Sequence, residues 1–223
     1  FVRFCTGSSL LPPGGWAGLK PLMQISWSGA ERGSLPISHT CFNMIVLPDA
    51  DIDMAADAAV SAGYGSAGER CMAVSVVVAV GHVADPLVEA IKERLPNVKV
   101  GEGFDPTSEM GPLVTREHRD RVASYLESGP EQGATLVADG RESAPDGDGF
   151  FLGVSLLDDV TPEMDCYRDE IFGPVLSVVR APSYGEALAL VNANPYRNGA
   201  ALFTRDGPAA QRFRSEEHTP ELQ

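Results

Sequence analysis

Short apolar runs alternate with periodic segments along most of this chain. Runs rich in apolar and β-branched residues predict strands at 45–47, 74–80, 98–100, 150–152, 176–179 and 200–203. Between them, apolar residues recur every three or four positions, as in the helix predicted after Asp85, where Leu87, Val88, Ile91 and Leu95 form one stripe. Because strands alternate with helices, the pattern predicts an α/β fold with a mainly parallel sheet flanked by helices.

Polar residues and prolines mark where the helices begin and end. Asp51 is predicted to cap the first helix, and the Asp-Pro pair at 85–86 to open the second as cap and first-turn proline. Residues 183–186, Ser-x-x-Glu, have the pattern of a capping box. The helix that starts after Thr115 is predicted to end at the Gly-Pro pair 129–130.

The two ends of the chain depart from this pattern. Residues 1–43 carry scattered Gly, Pro, Ser and Trp without a period, and we interpret them as an irregular remnant. Residues 44–213 form the patterned domain. A helix begins at Pro208 and is cut off in mid-pattern, while residues 214–223 are polar without an apolar face. We interpret that last segment as a foreign or truncated tail.

Composition narrows the classes of protein. The 223 residues carry a formal net charge of −14, which argues against nucleic acid or an anionic membrane as partner. The cysteines are widely spaced, so neither a zinc or other metal site nor a disulfide framework is predicted. This favours a reducing compartment, namely the cytoplasm, or the mitochondrial matrix in a eukaryote. No apolar stretch reaches the roughly 18 residues that span a bilayer, and no signal peptide is recognised.

Cys71 is the candidate nucleophile. It follows a glycine-rich turn and precedes the apolar run 74–80, where a rigid strand holds the backbone while the thiol stays reachable. The neighbouring Arg70 supplies positive charge that favours the thiolate. The alternative is a small buried hydrophobic residue, which is the commoner role of a cysteine. That structural role is assigned to the other three cysteines, Cys5, Cys41 and Cys166.

Glu170 and Phe172 form a second candidate site. They precede a Gly-Pro turn, residues 173–174, that leads into the strand predicted at 176–179, so both can lie at a strand-end crevice. There a glutamate can accept hydrogen bonds from ribose hydroxyls, and a phenylalanine can pack on a flat ligand ring. The alternative is an exposed glutamate and a core phenylalanine.

Two further signals are weak. Residues 63–68 match the G-x-G-x-x-G spacing of dinucleotide-binding loops, but a helix is predicted before them and a strand after them, the reverse of the order required. Their glycines are therefore assigned to the turn that carries Cys71. The histidines are interpreted as surface or loop residues, since none has a partner at helical spacing: His39, His82, His118 and His218.

Three motifs together resemble the aldehyde dehydrogenase superfamily in their order and spacing. They are residues 68–71 (Gly-Glu-Arg-Cys), 110–113 (Met-Gly-Pro-Leu) and 169–175 (Asp-Glu-Ile-Phe-Gly-Pro-Val). The wording of residues 66–73, 105–113 and 194–196 is most similar to the methylmalonate-semialdehyde dehydrogenase branch. The resemblance covers about residues 44–213 and implies an incomplete form of the family's catalytic domain.

The resemblance implies an NAD-dependent thiol mechanism with coenzyme A as co-substrate. Cys71 attacks the aldehyde of malonate or methylmalonate semialdehyde, and its backbone N–H helps to hold the oxyanion. Hydride passes to NAD, and coenzyme A takes the acyl group from the Cys71 thioester, with loss of CO₂ on the way to the acyl-CoA. By motif, Glu170 is similar to the carboxylate that binds the nicotinamide ribose, Phe172 to the ring beside the nicotinamide, and Arg70 to a partner of the substrate carboxylate. A full-length form is implied to be a homo-oligomer, a tetramer.

This sequence also departs from the family's pattern. The family's cofactor domain, its oxyanion-hole asparagine and its adenosine-ribose lysine belong upstream, and no matching motifs precede Met44. Residues 33–39 stand where a Leu-Gly-Gly-type segment is expected, as if the reading frame changed near Phe42. We therefore expect an inactive fragment. The alternatives are a hydrolytic aldehyde dehydrogenase, for which no motif supplies a general base, and a non-catalytic α/β domain that binds a nucleotide or a partner.

Overall fold

Strands and helices alternate along residues 42–145, 149–194 and 199–216, which are the residues that the computed structural model describes. The strands are β1 (Phe42–Val46), β2 (Val74–Val80), β3 (Thr135–Ala138), β4 (Ser155–Asp158), β5 (Val175–Ala181) and β6 (Gly199–Phe203). The helices are α1 (Ile52–Tyr64), α2 (Ala84–Arg94), α3 (Arg116–Glu131), α4 (Asp165–Arg168), α5 (Tyr184–Ala193) and α6 (Gly207–Glu216). Short 3₁₀ turns lie at Gly65–Gly68, Gly81–Val83 and Leu95–Asn97.

The strands form one six-stranded sheet in the order β3-β4-β5-β2-β1-β6. Neighbouring strands are parallel except for β3 and β4, which are antiparallel. Strand β2 lies in the interior of the sheet, and every residue of it except Ser75 is buried, as expected for a strand covered on both faces. The predicted α/β class with a mainly parallel sheet is confirmed.

Two apolar layers cover the two faces of this sheet. Helices α1 and α2 lie on one face, where Ala56 and Leu87 belong to the same buried cluster as Val77 of β2. Helices α3, α5 and α6 lie on the other, where Val122 and Val191 are buried in a second cluster. Each fully buried aliphatic side chain contributes about 1.5–3 kcal/mol. These layers fix the strands, and with them the turns that lead into each strand.

Side-chain caps confirm three of the predicted helix starts. The Asp51 carboxylate accepts a hydrogen bond from a backbone N–H in the first turn of α1 at 3.1 Å. Thr115 Oγ1 accepts one from His118 N–H at 3.1 Å at the start of α3, and Ser183 Oγ accepts one from Glu186 N–H at 3.3 Å at the start of α5. Such caps satisfy otherwise unpaired N–H groups and are worth about 1 kcal/mol each.

Helix α2 begins two residues earlier than predicted. It starts at Ala84, and no side chain caps it. Asp85 therefore lies in the first turn rather than at the cap, where a carboxylate still interacts favourably with the positive end of the helix. Arg180 of β5 pairs with this carboxylate at 2.6 Å, so Asp85 also links α2 to the sheet.

The predicted end of α3 at residues 129–130 is wrong. The helix includes Pro130 and continues to Glu131. The proline removes its own N–H from the ladder, but only one helical residue, Glu131, follows it, so little of the helix depends on that bond. Beyond it, Gln132 N–H still donates to Ser128 O at 2.9 Å, so the helical hydrogen bonding resumes.

The strand predictions fail in two places. Residues 98–100 form no strand, and Val100 makes only an isolated parallel bridge to Met110. Residues 150–152 join no ladder either, and the strand of that region is β4 instead. Strand β3 was not predicted, because it lies at the edge of the sheet with every residue at least partly exposed, which weakens its apolar pattern.

The predicted domain limits at residues 44 and 213 stay predictions. Strand β1 begins at Phe42, and α6 continues past residue 213 to Glu216. In the described ranges, no helix is long and apolar enough to cross a membrane, and no group of three or more His, Cys, Asp or Glu side chains could hold a metal ion. Several residues named above lie outside the described residues: Cys5, His39, Cys41, His218, residues 195–196 and most of both terminal segments.

Candidate active site

Two candidate segments lie side by side at one edge of the sheet. The Cys71 turn, residues 69–73, joins the 3₁₀ turn Gly65–Gly68 to β2, and the Phe172 loop, residues 169–174, leads directly into β5. Strands β2 and β5 are adjacent and parallel, so the segments that precede them meet at the same edge. This edge carries the amino ends of the strands, whereas open α/β sheets usually bind ligands at the carboxyl ends.

The two segments approach most closely where Gly68, the residue just before the Cys71 turn, meets the backbone of Gly173. A Cβ atom added to Gly68 would lie 2.2 Å from Gly173 O, a distance that real Cβ atoms do not adopt. Gly68 also has a φ of +70°, which favours glycine. On its other side, a Cβ atom on Gly173 would lie 2.6 Å from a methyl group of Val122 in α3. The Cys71 turn, the Phe172 loop and α3 are therefore stacked at van der Waals distance.

Cys71 is exposed, whereas Cys166 is buried. A hydrogen bond from Ala73 N–H to Arg70 O at 3.1 Å closes the turn on which Cys71 stands. Burial is the largest cause that raises the pKa of Cys166, to about 11. The expected exposed turn beside a buried strand is thus present. Between the two cysteines in the described part of the chain, only Cys71 is accessible, and its role as nucleophile stays a prediction.

Arg70 points away from the role predicted for it. Its guanidinium donates to Ser61 O at 3.3 Å and to Ala62 O at 3.2 Å, which are carbonyls of the last turn of α1. Ser61 O also accepts from the Gly65 N–H that ends α1, and an arginine near a helix C-terminus commonly adds such contacts to the last carbonyls. Contact with a substrate carboxylate therefore requires a different rotamer of Arg70, and that role stays a prediction.

Helix α3 holds the backbone of the Phe172 loop. Arg121 donates from Nη2 to Glu170 O at 2.8 Å, and His118 Nε2 lies 2.7 Å from Phe172 O. Tyr125 adds a third contact, since its hydroxyl donates to the Asp169 carboxylate at 2.8 Å. These donors recur along one face of α3, so a single helix fixes the loop at three points.

The predicted site residues of this loop keep partly exposed side chains. Glu170 and Phe172 are both half-buried, so Phe172 is not the core phenylalanine of the alternative interpretation. Phe172 has a φ of 54°, an unusual value for a residue with a large side chain. A strained residue held by the surrounding structure is frequent at functional sites. A carboxylate and an aromatic ring thus stand beside the Cys71 turn.

Glu69 was missed by sequence reasoning, and the interpretation of His118 as a surface or loop residue is wrong, because His118 lies in α3 with its side chain largely covered. Their side chains are 13% and 20% exposed, and Glu69 Oε1 lies 3.5 Å from His118 Nε2. Val114 N–H also donates to Glu69 Oε1 at 3.4 Å. Burial raises the pKa of Glu69, while this N–H and His118 oppose the rise. The motif that contains Cys71 includes Glu69, but no spacing along the chain connects it to His118.

A cleft beside α1 and α2 does not contain the candidate site. It has a volume of about 370 Å³ and is lined among others by Asp57, Tyr64, Arg94 and Glu109. None of the predicted site residues lines it.

This geometry agrees with a match to the model of the aldehyde dehydrogenase family over residues 42–220. The chain belongs to the aldehyde dehydrogenase family. A second match, to a HECT-domain (ubiquitin-transferase) model, covers residues 1–53 and overlaps the first only at its end. It spans less than half of the chain and shows no second family membership.

Curated relatives of this aldehyde dehydrogenase chain are malonate-semialdehyde dehydrogenases. That of Halalkalibacterium halodurans is 48% identical over 172 residues, which are 77% of this chain and 36% of the relative. That of Pseudomonas aeruginosa is 51% identical over 175 residues, or 77% of this chain and 35% of the relative. The chain therefore spans little more than a third of the length of these relatives.

Solved structures of the family show the same fold. The methylmalonate-semialdehyde dehydrogenase of Oceanimonas doudoroffii has a TM-score of 0.76 at 47% identity, covering 78% of this chain and 36% of that one. A putative methylmalonate-semialdehyde dehydrogenase from Sinorhizobium meliloti 1021, complexed with NAD, has a TM-score of 0.77 at 51% identity, covering 79% and 36%. The predicted resemblance to this family and to this branch of it is confirmed.

Proposed function

We propose that this chain carries the thiol site of an NAD-dependent, coenzyme A-acylating dehydrogenase of malonate or methylmalonate semialdehyde. The observation that carries the proposal is the direct contact of Gly68 with Gly173, which sets the exposed Cys71 beside the half-buried Glu170 and Phe172. A thiol supplies the nucleophile of an aldehyde oxidation, and a carboxylate and an aromatic ring can bind the ribose and the flat ring of a nicotinamide cofactor. The names of the relatives support the substrate class.

Cys71 begins the proposed reaction. Its thiolate attacks the carbonyl carbon of the aldehyde, the C=O π bond becomes an alkoxide, and a thiohemiacetal forms on the sulfur. The Cys71 backbone N–H donates a hydrogen bond to this alkoxide as its charge develops, which stabilises the transition state more than the bound aldehyde. The turn closed by Ala73 and Arg70 holds that N–H fixed.

The Phe172 loop fits the nicotinamide end of NAD by the chemistry of its side chains. A half-buried carboxylate can accept hydrogen bonds from the two ribose hydroxyls, which assigns Glu170. A half-buried ring can pack against the flat nicotinamide, which assigns Phe172. When bound, NAD supplies the acceptor for the hydride of the thiohemiacetal carbon. Loss of that hydride leaves an acyl thioester on Cys71.

Coenzyme A completes the proposed reaction as co-substrate. Its thiolate attacks the thioester carbonyl, the bond to Cys71 Sγ breaks, and the cysteine thiolate is regenerated. The β-carboxylate of the substrate leaves as CO₂ on the way to the acyl-CoA product, and the enolate that remains takes up a proton from water at the α-carbon. Arg70 is assigned to that carboxylate, and it reaches the substrate only after releasing the carbonyls of α1.

A hybrid protein tests this function. In the hybrid, residues 42–216 of this chain replace the matching segment of the Pseudomonas aeruginosa relative. With NAD, coenzyme A and methylmalonate semialdehyde, we expect the hybrid to form NADH and acyl-CoA. Cys71→Ser should lower the rate by about 10³-fold or more, as loss of a nucleophile does in enzymes that act through covalent intermediates. Cys166→Ser, the matched control, should leave the rate within about threefold, since surface or non-site changes rarely alter chemistry.

Other products would point to other functions. A free carboxylic acid without acyl-CoA would favour a hydrolytic aldehyde dehydrogenase. Binding of NAD by a folded hybrid that forms no NADH would favour a non-catalytic domain. The predicted inactivity of the 223-residue chain on its own stays a prediction. Assembly of a full-length form into a tetramer and a cytoplasmic location are likewise proposals, which rest on the family resemblance and on the absence of paired cysteines from the sequence.

A further inference from the structure

We propose that Glu69 and His118 are positioning residues that hold the Cys71 turn and the Phe172 loop together. The inference deepens the proposed function and rests on it wherever it concerns catalysis. Glu69 belongs to the Cys71 turn, and His118 lies in the first turn of α3 and reaches the Phe172 loop. We call these two residues with Val114 the Glu69–His118 bridge.

The Nε2 atom of His118 carries a hydrogen. A backbone carbonyl can only accept, so at 2.7 Å from Phe172 O the Nε2 atom of His118 must carry the hydrogen and donate it. The same nitrogen lies 3.5 Å from Glu69 Oε1, which adds an attractive contact between the imidazole N–H and the carboxylate. His118 therefore contacts both segments through one atom.

A hydrogen bond and low exposure to water hold the Glu69 side chain in place. Its Oε1 accepts a hydrogen bond from Val114 N–H at 3.4 Å, just before the cap of α3. With its side chain only 13% exposed, Glu69 has few water molecules to replace these partners. A buried carboxylate that loses its hydrogen bonds is destabilising, so the side chain stays in this position. Glu69 thereby ties the Cys71 turn to the start of α3.

The Glu69–His118 bridge and the contact of Gly68 with Gly173 restrain the two segments in opposite directions. The contact of Gly68 with Gly173 is steric, so it resists closer approach of the two segments but not their separation. The bridge consists of hydrogen bonds and of the attraction between the His118 N–H and the Glu69 carboxylate, which resist separation. Together they define one distance between the thiol and the candidate cofactor-binding side chains. Since misplacement by about 1 Å can cost 10²-fold in rate, such a pair of constraints has catalytic value.

His118 differs from its neighbours on α3 because it contacts the Cys71 turn as well as the Phe172 loop. Arg121 and Tyr125 also hold the Phe172 loop, through Glu170 O and the Asp169 carboxylate. His118 contacts both the Phe172 loop, at Phe172 O, and the Cys71 turn, at Glu69. Removing Arg121 therefore loosens the loop on α3, whereas removing His118 also disconnects it from the thiol.

The test measures the separation of the two segments in the 223-residue chain itself. A nitroxide label is attached to Cys71 in a variant whose other cysteines are replaced by serine, and line broadening of the Phe172 and Gly173 amides is recorded by NMR. We expect strong broadening in this reference protein and a measurable decrease of it in Glu69→Ala and in His118→Ala. Glu69→Gln keeps an acceptor at Oε1 and His118→Gln keeps a donor at the position of Nε2, so both should retain the broadening.

A second readout follows the hydrogen bond to Glu69 directly. Amide exchange of Val114 should become about tenfold faster in Glu69→Ala and stay near the reference rate in Glu69→Gln, as expected for loss of one hydrogen bond. Glu117→Ala, which removes an exposed carboxylate from the same turn of α3, is the matched control and should change neither readout.

The outcomes are decisive in either direction. Unchanged broadening in both alanine variants, with native amide shifts in β4, would overturn the proposal. An equal decrease in the alanine and glutamine variants would also overturn it, because a merely structural site is not rescued by a conserved donor or acceptor. If an alanine variant unfolds, Glu69→Met and His118→Leu, which keep volume without polar atoms, replace it under the same criteria. No NAD or aldehyde is present, so failure of the bridge is distinguished from failure of the proposed reaction.

Discussion

At Cys71, access and reactivity have separate origins. Access comes from the backbone, because Gly68 turns the chain and the Arg70–Ala73 hydrogen bond presents the thiol outside the sheet. Reactivity depends on the thiolate, which burial in apolar surroundings suppresses. Cys166 illustrates the second effect, since burial raises its pKa to about 11.

Limited alkylation should therefore distinguish the cysteines. A thiol with a pKa of about 11 is ionised to only about one part in ten thousand at pH 7, so Cys166 should react about a hundredfold or more slowly than Cys71. Iodoacetamide treatment of the folded chain followed by mass mapping measures this. Preferential labelling of Cys166 or Cys41 would contradict the assignment of Cys71 as the reactive thiol.

Glu170→Gln tests the candidate cofactor contact in the hybrid. A glutamine keeps the shape of the side chain but loses the charge that two ribose hydroxyls would share, so the nicotinamide should be less well oriented. We expect the single-turnover rate of NADH formation to fall by up to about 10²-fold, with capture of the aldehyde by Cys71 little changed. Glu131→Gln, an exposed site at the end of α3, is the control. An unchanged rate in Glu170→Gln would remove Glu170 from the site.

Among the elements, helix α3 has the most extensive role in the site. One of its faces holds the Phe172 loop through three side chains, and Val122 on the same helix packs against Gly173. The loop in turn touches the 3₁₀ turn that precedes Cys71. The position of the thiol relative to the Phe172 loop is thus set by packing between elements and not by either segment alone.

Gly68→Ala should disturb this arrangement more than an ordinary glycine substitution. The new Cβ atom would overlap Gly173 O and would sit on a residue with φ +70°, so one segment must move. Strain of this kind and overpacking each cost about 1–3 kcal/mol, and we expect a loss of about 3 kcal/mol in the free energy of unfolding. Gly185→Ala in α5, where a Cβ atom meets nothing within 4 Å, should instead be neutral or slightly stabilising. Urea unfolding of both variants measures the difference, and equal stabilities would contradict the contact.

Elements with strong local signals could be predicted from the sequence. The apolar run of β2 and the caps Asp51 and Ser183 identified their elements, because burial on both faces and capping are local properties. Strand β3 and the four-residue helix α4 could not be, since an exposed edge strand and a single helical turn leave no period to detect.

In the candidate site too, residues in local motifs could be predicted from the sequence, whereas contacts between distant segments could not. Cys71 and the Phe172 loop were found through motifs that lie close together along the chain. The contact of Glu69 with His118 was not, because it arises only when α3 packs against two separate segments. A histidine in a helical first turn carries no sequence signal of the carboxylate that it will meet.

For the whole molecule, the sheet and the net charge have opposing effects on association. Strand β6 pairs with β1 along one edge, and along its other edge it pairs with no strand in the described part of the chain. An open edge offers unpaired N–H and C=O groups to another copy. The formal charge of −14 opposes such contacts through repulsion, which salt screens over about 8–10 Å.

Association should therefore depend on both concentration and salt. We expect size-exclusion elution of the 223-residue chain to shift to larger species as either is raised. Ala201→Lys places a charge on β6 and should reduce the shift. Ala210→Lys in α6 makes the same change in net charge away from the edge and should reduce it less. Equal effects of the two variants would indicate that net charge and not the edge controls association.

In the proposed reaction, the substrate carboxylate competes with carbonyl groups of α1 for Arg70. The guanidinium that would neutralise a substrate carboxylate is already bonded to the last carbonyls of α1. Each ligand of one cation weakens the other, and this linkage is reciprocal. An anion that binds Arg70 should destabilise the last turn of α1. Conversely, any change that unfolds that turn should release Arg70 and increase its affinity for the anion. The more stable the last turn of α1 is, the more weakly Arg70 would then bind the substrate anion.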